Sequence, residues 1–260
     1  MMSDLLKKLG AVLNGPEYGS QSRALLYAQK KREDLLQAEC LRIIQSESRS
    51  QHSRTEFPLK KDDVHSWNKA LDLRGYFKGI SGLAARKQKG RIDVVGFSED
   101  DVMSHLIEVK AWSAGDAVDI SRYRPGKKTN HSISKSFEID ALKMLSVNTG
   151  EKLCRSIVTA MFTIHCDGMT QSELKARKFK YVPLLMKQNR DAAGIGNSDD
   201  YRRVGVKMML TELGREFGPG TQMNAQIAHI SAFGRADANF QGVGISLDIV
   251  YAELGTTSLK

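Results

Sequence analysis

Residues 90–112 read GRIDVVGFSEDDVMSHLIEVKAW, two apolar runs on either side of an acidic turn. Their β-branched content and the SEDD punctuation between them predict strands over 91–97 and 105–112, folded as an antiparallel hairpin centred on Asp100 and Asp101. That register sets Asp93 opposite Glu108 and Arg91 opposite Lys110. Directly opposed residues share a face with Cβ atoms ~4.5–5.5 Å apart, and residues two apart on one strand share a face too. One Asp, one Glu and one Lys therefore form a single cluster, while Ile107, Val109 and Ala111 fill the opposite face. Like charges placed opposite one another are destabilising, so the pattern calls for a compensating cation. Hard carboxylate oxygens favour Mg²⁺, with Mn²⁺ able to substitute. A lysine beside such a cation can orient or help deprotonate an attacking water, and the cation can stabilise charge on a phosphodiester. The bland reading is an exposed face with a screened Glu–Lys pair, because D-x14-E-x-K is by itself an unspecific spacing.

Outward from the hairpin, the chain reads as alternating helices and strands. A short amphipathic helix over 4–13 is broken by NGPEYGS, and a longer helical segment runs from about Ser22 to Gln45. TEFPL reads as a short strand that Pro58 confines to an edge or an end. Residues 62–74 form a helix opened by Asp62 or Asp63. After the hairpin, residues 132–147 place Ile133, Phe137, Ala141, Leu142 and Leu145 on one helical face. RSIVTAMFTIHC is a buried strand, 199–217 a helix, and 225–233 with 243–253 a closing strand pair. This order implies a mixed α/β sandwich around a central sheet.

The 260 residues carry a net charge of +9, from 39 Lys and Arg against 30 Asp and Glu, which favours polyanionic partners. The cations cluster as KKR (30–32), RKQKGR (86–91), RYRPGKK (122–128) and KARKFK (175–180). Arg86, Lys87, Lys89, Arg122, Arg124, Lys127 and Lys128 flank the hairpin and are the candidate nucleic-acid contacts, with Tyr123 available to stack on a base. Solvated loops would explain each cluster nearly as well. No apolar run approaches the ~18 residues of a membrane span. MMSDLLKKLG lacks the layout of a secretory leader, and the three cysteines form no CxxC pair. A reducing cytoplasm is the expected compartment.

GRIDVVGF followed by LIEVKAW resembles the signature strands of the PD-(D/E)XK nuclease superfamily, the restriction-endonuclease-like fold. The resemblance covers roughly residues 30–165: an upstream helix (REDLLQAECLRII), the TEFPL strand, the hairpin, a helix (FEIDALKML) and a strand (VTAMFTI). It implies that Asp93 and Glu108 are metal-binding carboxylates, that the Val109 main-chain carbonyl joins them, and that Lys110 is the catalytic lysine. The first-helix acid is Glu33, with Glu39 as the alternative. Arg91-Ile92 departs from the family pattern where its proline would stand, and the glutamine-tyrosine motif of the exonuclease branch is absent.

The resemblance implies an N-terminal helical extension (1–29) and a nuclease-like domain (30–260). It also implies an Mg²⁺-dependent endonuclease acting on DNA in preference to RNA, a restriction or anti-phage role, and a homodimer or larger assembly. Two rivals stay open: a silent nuclease-fold module that binds nucleic acid or a partner, and a structural subunit. Other acids read more simply. Glu56 is solvated on an edge strand, Asp116 and Asp119 serve turns or caps, and Asp140 is a polar residue on an exposed flank. His165, Cys166 and Asp167 are core and turn residues. Trp67 and Trp112 belong to the core or to a groove edge, Trp112 on the face of Glu108 and Lys110. Neither a dinucleotide fingerprint nor a P-loop is present.

Overall fold

The computed structural model describes residues 2–16, 19, 32–47, 53–74, 90–98, 100–114, 133–147, 153–176, 195–217 and 223–255. Its elements follow the expected order. They are α1 (Met2–Leu13), α2 (Arg32–Glu47), β1 (Ser53–Pro58), α3 (Lys61–Leu73), β2 (Arg91–Phe97), β3 (Met103–Ser113) and α4 (Ile133–Ser146). There follow β4 (Cys154–His165), α5 (Gln171–Ala176), α6 (Ser198–Phe217), β5 (Gln226–Phe233), β6 (Asn239–Phe240) and β7 (Val243–Leu254). The sheet runs β1-β2-β3-β4-β7-β5, with the short β6 paired to β7. Only β3 and β4 are parallel, and α4 lies in the connection between them, as parallel neighbours require.

Each face of the sheet is covered, and strand alternation decides what goes where. On β3, Ile107 and Val109 join Leu36, Cys40, Ile43 and Ile44 of α2 and Leu5, Leu6, Leu9 and Leu13 of α1 in one core. Leu106 turns the other way, into a second core with Trp67 of α3, Phe137 and Leu142 of α4, and Met209 and Leu213 of α6. β4 and β7 are buried on both faces, as central strands are. The chain is thus an α/β protein with a mixed sheet between two helical layers. Helix α1 packs against α2, β5 and β7 and shares their core.

Pro58 ends the edge strand β1, where its missing N–H costs no ladder bond. The hairpin register is the expected one from Val94↔Ile107 to Gly96↔His105, then slips by one residue at Phe97↔Met103. Asp101, with φ 62°, takes the left-handed position of the turn, and its N–H donates to the Ser98 carbonyl at 3.0 Å.

Candidate active site

The sheet forks in the middle. Among the described pairs, the β2–β3 ladder ends at Val94↔Ile107. β2 nevertheless stays paired to β1 as far as Arg91, and β3 stays paired to β4 as far as Ser113. Two N–H groups of β3 beyond the fork therefore lose the strand that would have received them, and a buried N–H demands an acceptor. Side-chain carboxylates supply it. Asp93 Oδ2 accepts from the Val109 N–H at 2.7 Å, and Glu33 Oε1, reaching over from α2, accepts from the Ala111 N–H at 3.0 Å. Backbone geometry thus delivers two acids to the mouth of the fork.

Glu108 and Lys110 lie on the face covered by α4. Glu108 is only 1% exposed. Its Oε1 is 2.7 Å from the Lys143 ammonium, and its Oε2 has no hydrogen-bond partner among the described residues. Lys110 Nζ lies 3.0 Å from Asp140 Oδ2, and Lys143 Nζ lies 3.3 Å from Asp140 Oδ1, so Asp140 bridges the two lysines. Trp112 Nε1 and Thr159 Oγ1 are also buried without a partner among the described residues; Thr159 stands beside Lys110 in the β3–β4 register. Several unsatisfied polar atoms along one short stretch of a sheet are unusual in a native interior.

The electrostatics follow from burial and charge count. Burial pushes the Asp93 carboxyl above its ordinary range despite the Val109 hydrogen bond and the nearby Lys110. Burial, and then the neighbouring Asp140, push Glu108 well above its ordinary range against the pull of Lys143. Burial would lower Lys110 and Lys143, but the surrounding carboxylates outweigh it and hold both ammonium groups charged. Lys143, held between two carboxylates, keeps its proton; the ionisation of Glu108 is what burial resists. Three acids, Asp93, Glu108 and Asp140, face two lysines, so the fully ionised cluster carries one uncompensated negative charge.

Asp140 corrects the sequence reading: it is buried within the cluster, not set on an exposed flank. The reason is that the C-terminal half of α4 is buried nearly all round, with Asp140, Ala141, Leu142, Lys143 and Met144 buried in succession. A polar residue on such a helix has no solvent flank to occupy. Arg91 also differs from expectation, lying exposed beyond the fork, 3.5 Å from Glu56 of the edge strand and outside the described β2–β3 pairs. Lys143 escaped the sequence reading altogether. The Asp140–Lys143 spacing of i, i+3 inside the otherwise apolar run IDALKML (139–145) is the signal that could have found it.

Glu39 is buried on α2 and pairs with Arg42 at 3.0 Å, while Glu33 is the helix acid at the fork. Glu56 has a left-handed backbone, φ 52°, and lies level with Asp93 between the pairs Thr55↔Val94 and Phe57↔Ile92. Trp67 is core, its Nε1–H donating to the Ile139 carbonyl at 3.2 Å. His165 is buried against Ser246 at 2.9 Å, and Asp167 accepts from the Ser198 N–H at 2.8 Å at the start of α6. Asp116, Asp119, Tyr123 and the candidate contacts Arg86, Lys87, Lys89, Arg122, Arg124, Lys127 and Lys128 fall outside the described residues.

No three His, Cys, Asp or Glu side chains among the described residues form a ready-made metal cage. The donors present suit a hard cation that keeps much of its water. Mg²⁺ is commonly held by one or two carboxylates plus substrate phosphate. Glu108 Oε2, buried and unpartnered, is the atom that most needs such a ligand. Among the described residues no helix is long and apolar enough to cross a membrane. Comparison of the chain with family models, with curated proteins and with solved structures finds no match in any of the three.

Proposed function

We propose that this chain is a metal-dependent nuclease with a restriction-endonuclease-like core, cutting within DNA strands. The observation that carries the reading is the fork, which delivers Asp93 and Glu33 to β3 beside a buried Glu108 with an unpartnered oxygen. The order α2, β1, β2, β3, α4, β4, interrupted only by α3, supports the same fold, with β3 and β4 parallel around α4.

Asp93, Glu108 and the Val109 carbonyl would hold Mg²⁺ or Mn²⁺, with Glu33 at the rim. When bound, such a cation supplies Lewis-acid stabilisation of phosphoryl charge and a more acidic water. Lys110, kept cationic by Asp140, Glu108 and Asp93, donates to the attacking water or to a phosphoryl oxygen; an ammonium so held is a poor proton acceptor. Asp140 is a positioning residue, fixing the Lys110 head group in reach of the fork. The flanking basic clusters engage the phosphate backbone, and double-strand cutting would pair two such sites in a homodimer or larger assembly. A role in restriction or other anti-phage defence fits that activity.

The test is nicking of supercoiled plasmid by purified protein with Mg²⁺ or Mn²⁺, beside Asp93→Ala and Lys110→Ala, with RNA run in parallel. Metal-dependent nicking lost in both variants is the expected outcome. A second reading, a silent binding module, is favoured by the two lysines that already offset most of the carboxylate charge. Calorimetry with Mn²⁺ separates the two, since the silent module predicts no Asp93-dependent heat.

A further inference from the structure

Lys143 has two berths, and only one of them conflicts with a cation. Its ammonium is 2.7 Å from Glu108 and 3.3 Å from Asp140, and it stands 5.9 Å from the centre of the Trp67 ring. The side chain is only 10% exposed, so it has little freedom to retreat into water. A cation bound to Glu108 would meet the Lys143 charge within a few ångströms in a poorly solvated interior, where like charges repel strongly. Asp140 and the Trp67 face remain available to the ammonium after Glu108 is given up. Lys110 does not compete in the same way, because its described ion pair is to Asp140.

We infer that Lys143 occupies the cation's place on Glu108 and that divalent metal binds by displacing it towards Asp140. The inference rests on the nuclease reading of the fork and adds to it a built-in competitor that weakens metal binding. A resting site closed by its own lysine would hold its carboxylates in place without metal. It would engage a cation only where free metal, or a phosphate brought by substrate, supplies the missing interaction.

The experiment is Mn²⁺ titration by calorimetry on the full chain, comparing wild type with Lys143→Met and Lys143→Arg, and the first two again with Asp93→Ala added, each checked for folding by circular dichroism. Methionine keeps the unbranched stem and removes the charge; arginine keeps the charge. Lys143→Met is expected to bind Mn²⁺ at least about tenfold more tightly, a shift of ~1.4 kcal/mol, with Lys143→Arg no tighter than wild type. Equal or weaker binding by Lys143→Met, with wild type still binding through Asp93, overturns the exchange and leaves the nuclease reading standing. Tightening by both variants also overturns it, since charge would not be the cause. Absence of Asp93-dependent binding in wild type and Lys143→Met alike overturns the exchange and the metal site together.

Discussion

Two buried carboxylates lie on the face of the sheet covered by α4 and α6, and they are treated in opposite ways. Asp248 of β7 receives Arg202 of α6 through both oxygens, at 2.8 and 3.0 Å, and His229 of β5 at 3.1 Å. Arg202 also reaches Ser231. Glu108 of β3 has one lysine contact and an oxygen with no hydrogen-bond partner among the described residues. The consequence for ionisation is opposite as well. The His229 and Arg202 hydrogen bonds outweigh burial and hold Asp248 below its ordinary range, whereas burial and Asp140 drive Glu108 upward. A bidentate arginine with a histidine beside it closes the account of a buried acid. A carboxylate left under-satisfied in the same protein is poorly explained as a structural ion pair, and that contrast is what the nuclease proposal rests on.

The contrast can be broken at either end. The largest effect is expected at the fork: Asp93→Ala should lower plasmid nicking by about 10²–10³-fold, the scale for removing one electrostatic contributor to catalysis, in protein that circular dichroism shows to be folded. The converse is expected at β7. Arg202→Met leaves Asp248 buried without its main partner and should cost about 3 kcal/mol in urea unfolding, with nicking per folded molecule retained. If Arg202→Met abolished nicking in folded protein, the two regions would not be separable.

The pH dependence sharpens the same difference. The Asp248 pair contributes stability above the ordinary carboxyl value of 3.8, and that contribution is lost as pH falls through its lowered folded value. Glu108 has the opposite sign. Its neutral form is the one folding favours, so its contribution is present below 4.5 and is lost as pH rises through the raised folded value. Glu108→Gln should therefore gain stability relative to wild type between pH 4.5 and 7.5, while losing Mn²⁺ binding. Unfolding curves at the two pH values check it, and a gap that closes with rising pH would contradict the sign. The smallest effect belongs to Glu56, whose left-handed backbone glycine adopts without steric cost. Glu56→Gly should stabilise by about 1 kcal/mol by thermal melting.

Much of this was legible in the chain, for local reasons. The hairpin register follows from an acidic turn between two apolar runs as far as Val94↔Ile107; the expected opposition of Asp93 and Glu108 is not among the described pairs, and Asp93 meets the Val109 N–H instead. Glu33 was nameable because the family resemblance asks for an acid on that helix. The lysines and acids of α4 were not legible as a network, because helix periodicity sorts residues by solvent and the C-terminal half of α4 has almost no solvent side. Nor was the Asp248 cluster, whose members come from α6, β5 and β7 and meet only through the sheet order. The fork itself leaves no mark in the sequence: it shows only as N–H groups of Val109 and Ala111 that turn to side chains instead of a strand.

Gly10 allows α1 to lie flush against β5, where a Cβ would come within 2.5 Å of Ile230 Cδ1. The helix is thereby seated on a strand that follows it by about 220 residues in the chain. At ordinary translation rates the interval between Gly10 and Ile230 is about 10–40 s. During that time the face of α1 that carries Leu5, Leu6, Leu9 and Leu13 lacks β5 and β7, two of the elements it packs against. Until β5 and β7 are made, the apolar stripe of α1 cannot be covered as it is in the folded protein, so its full burial is a late event in folding.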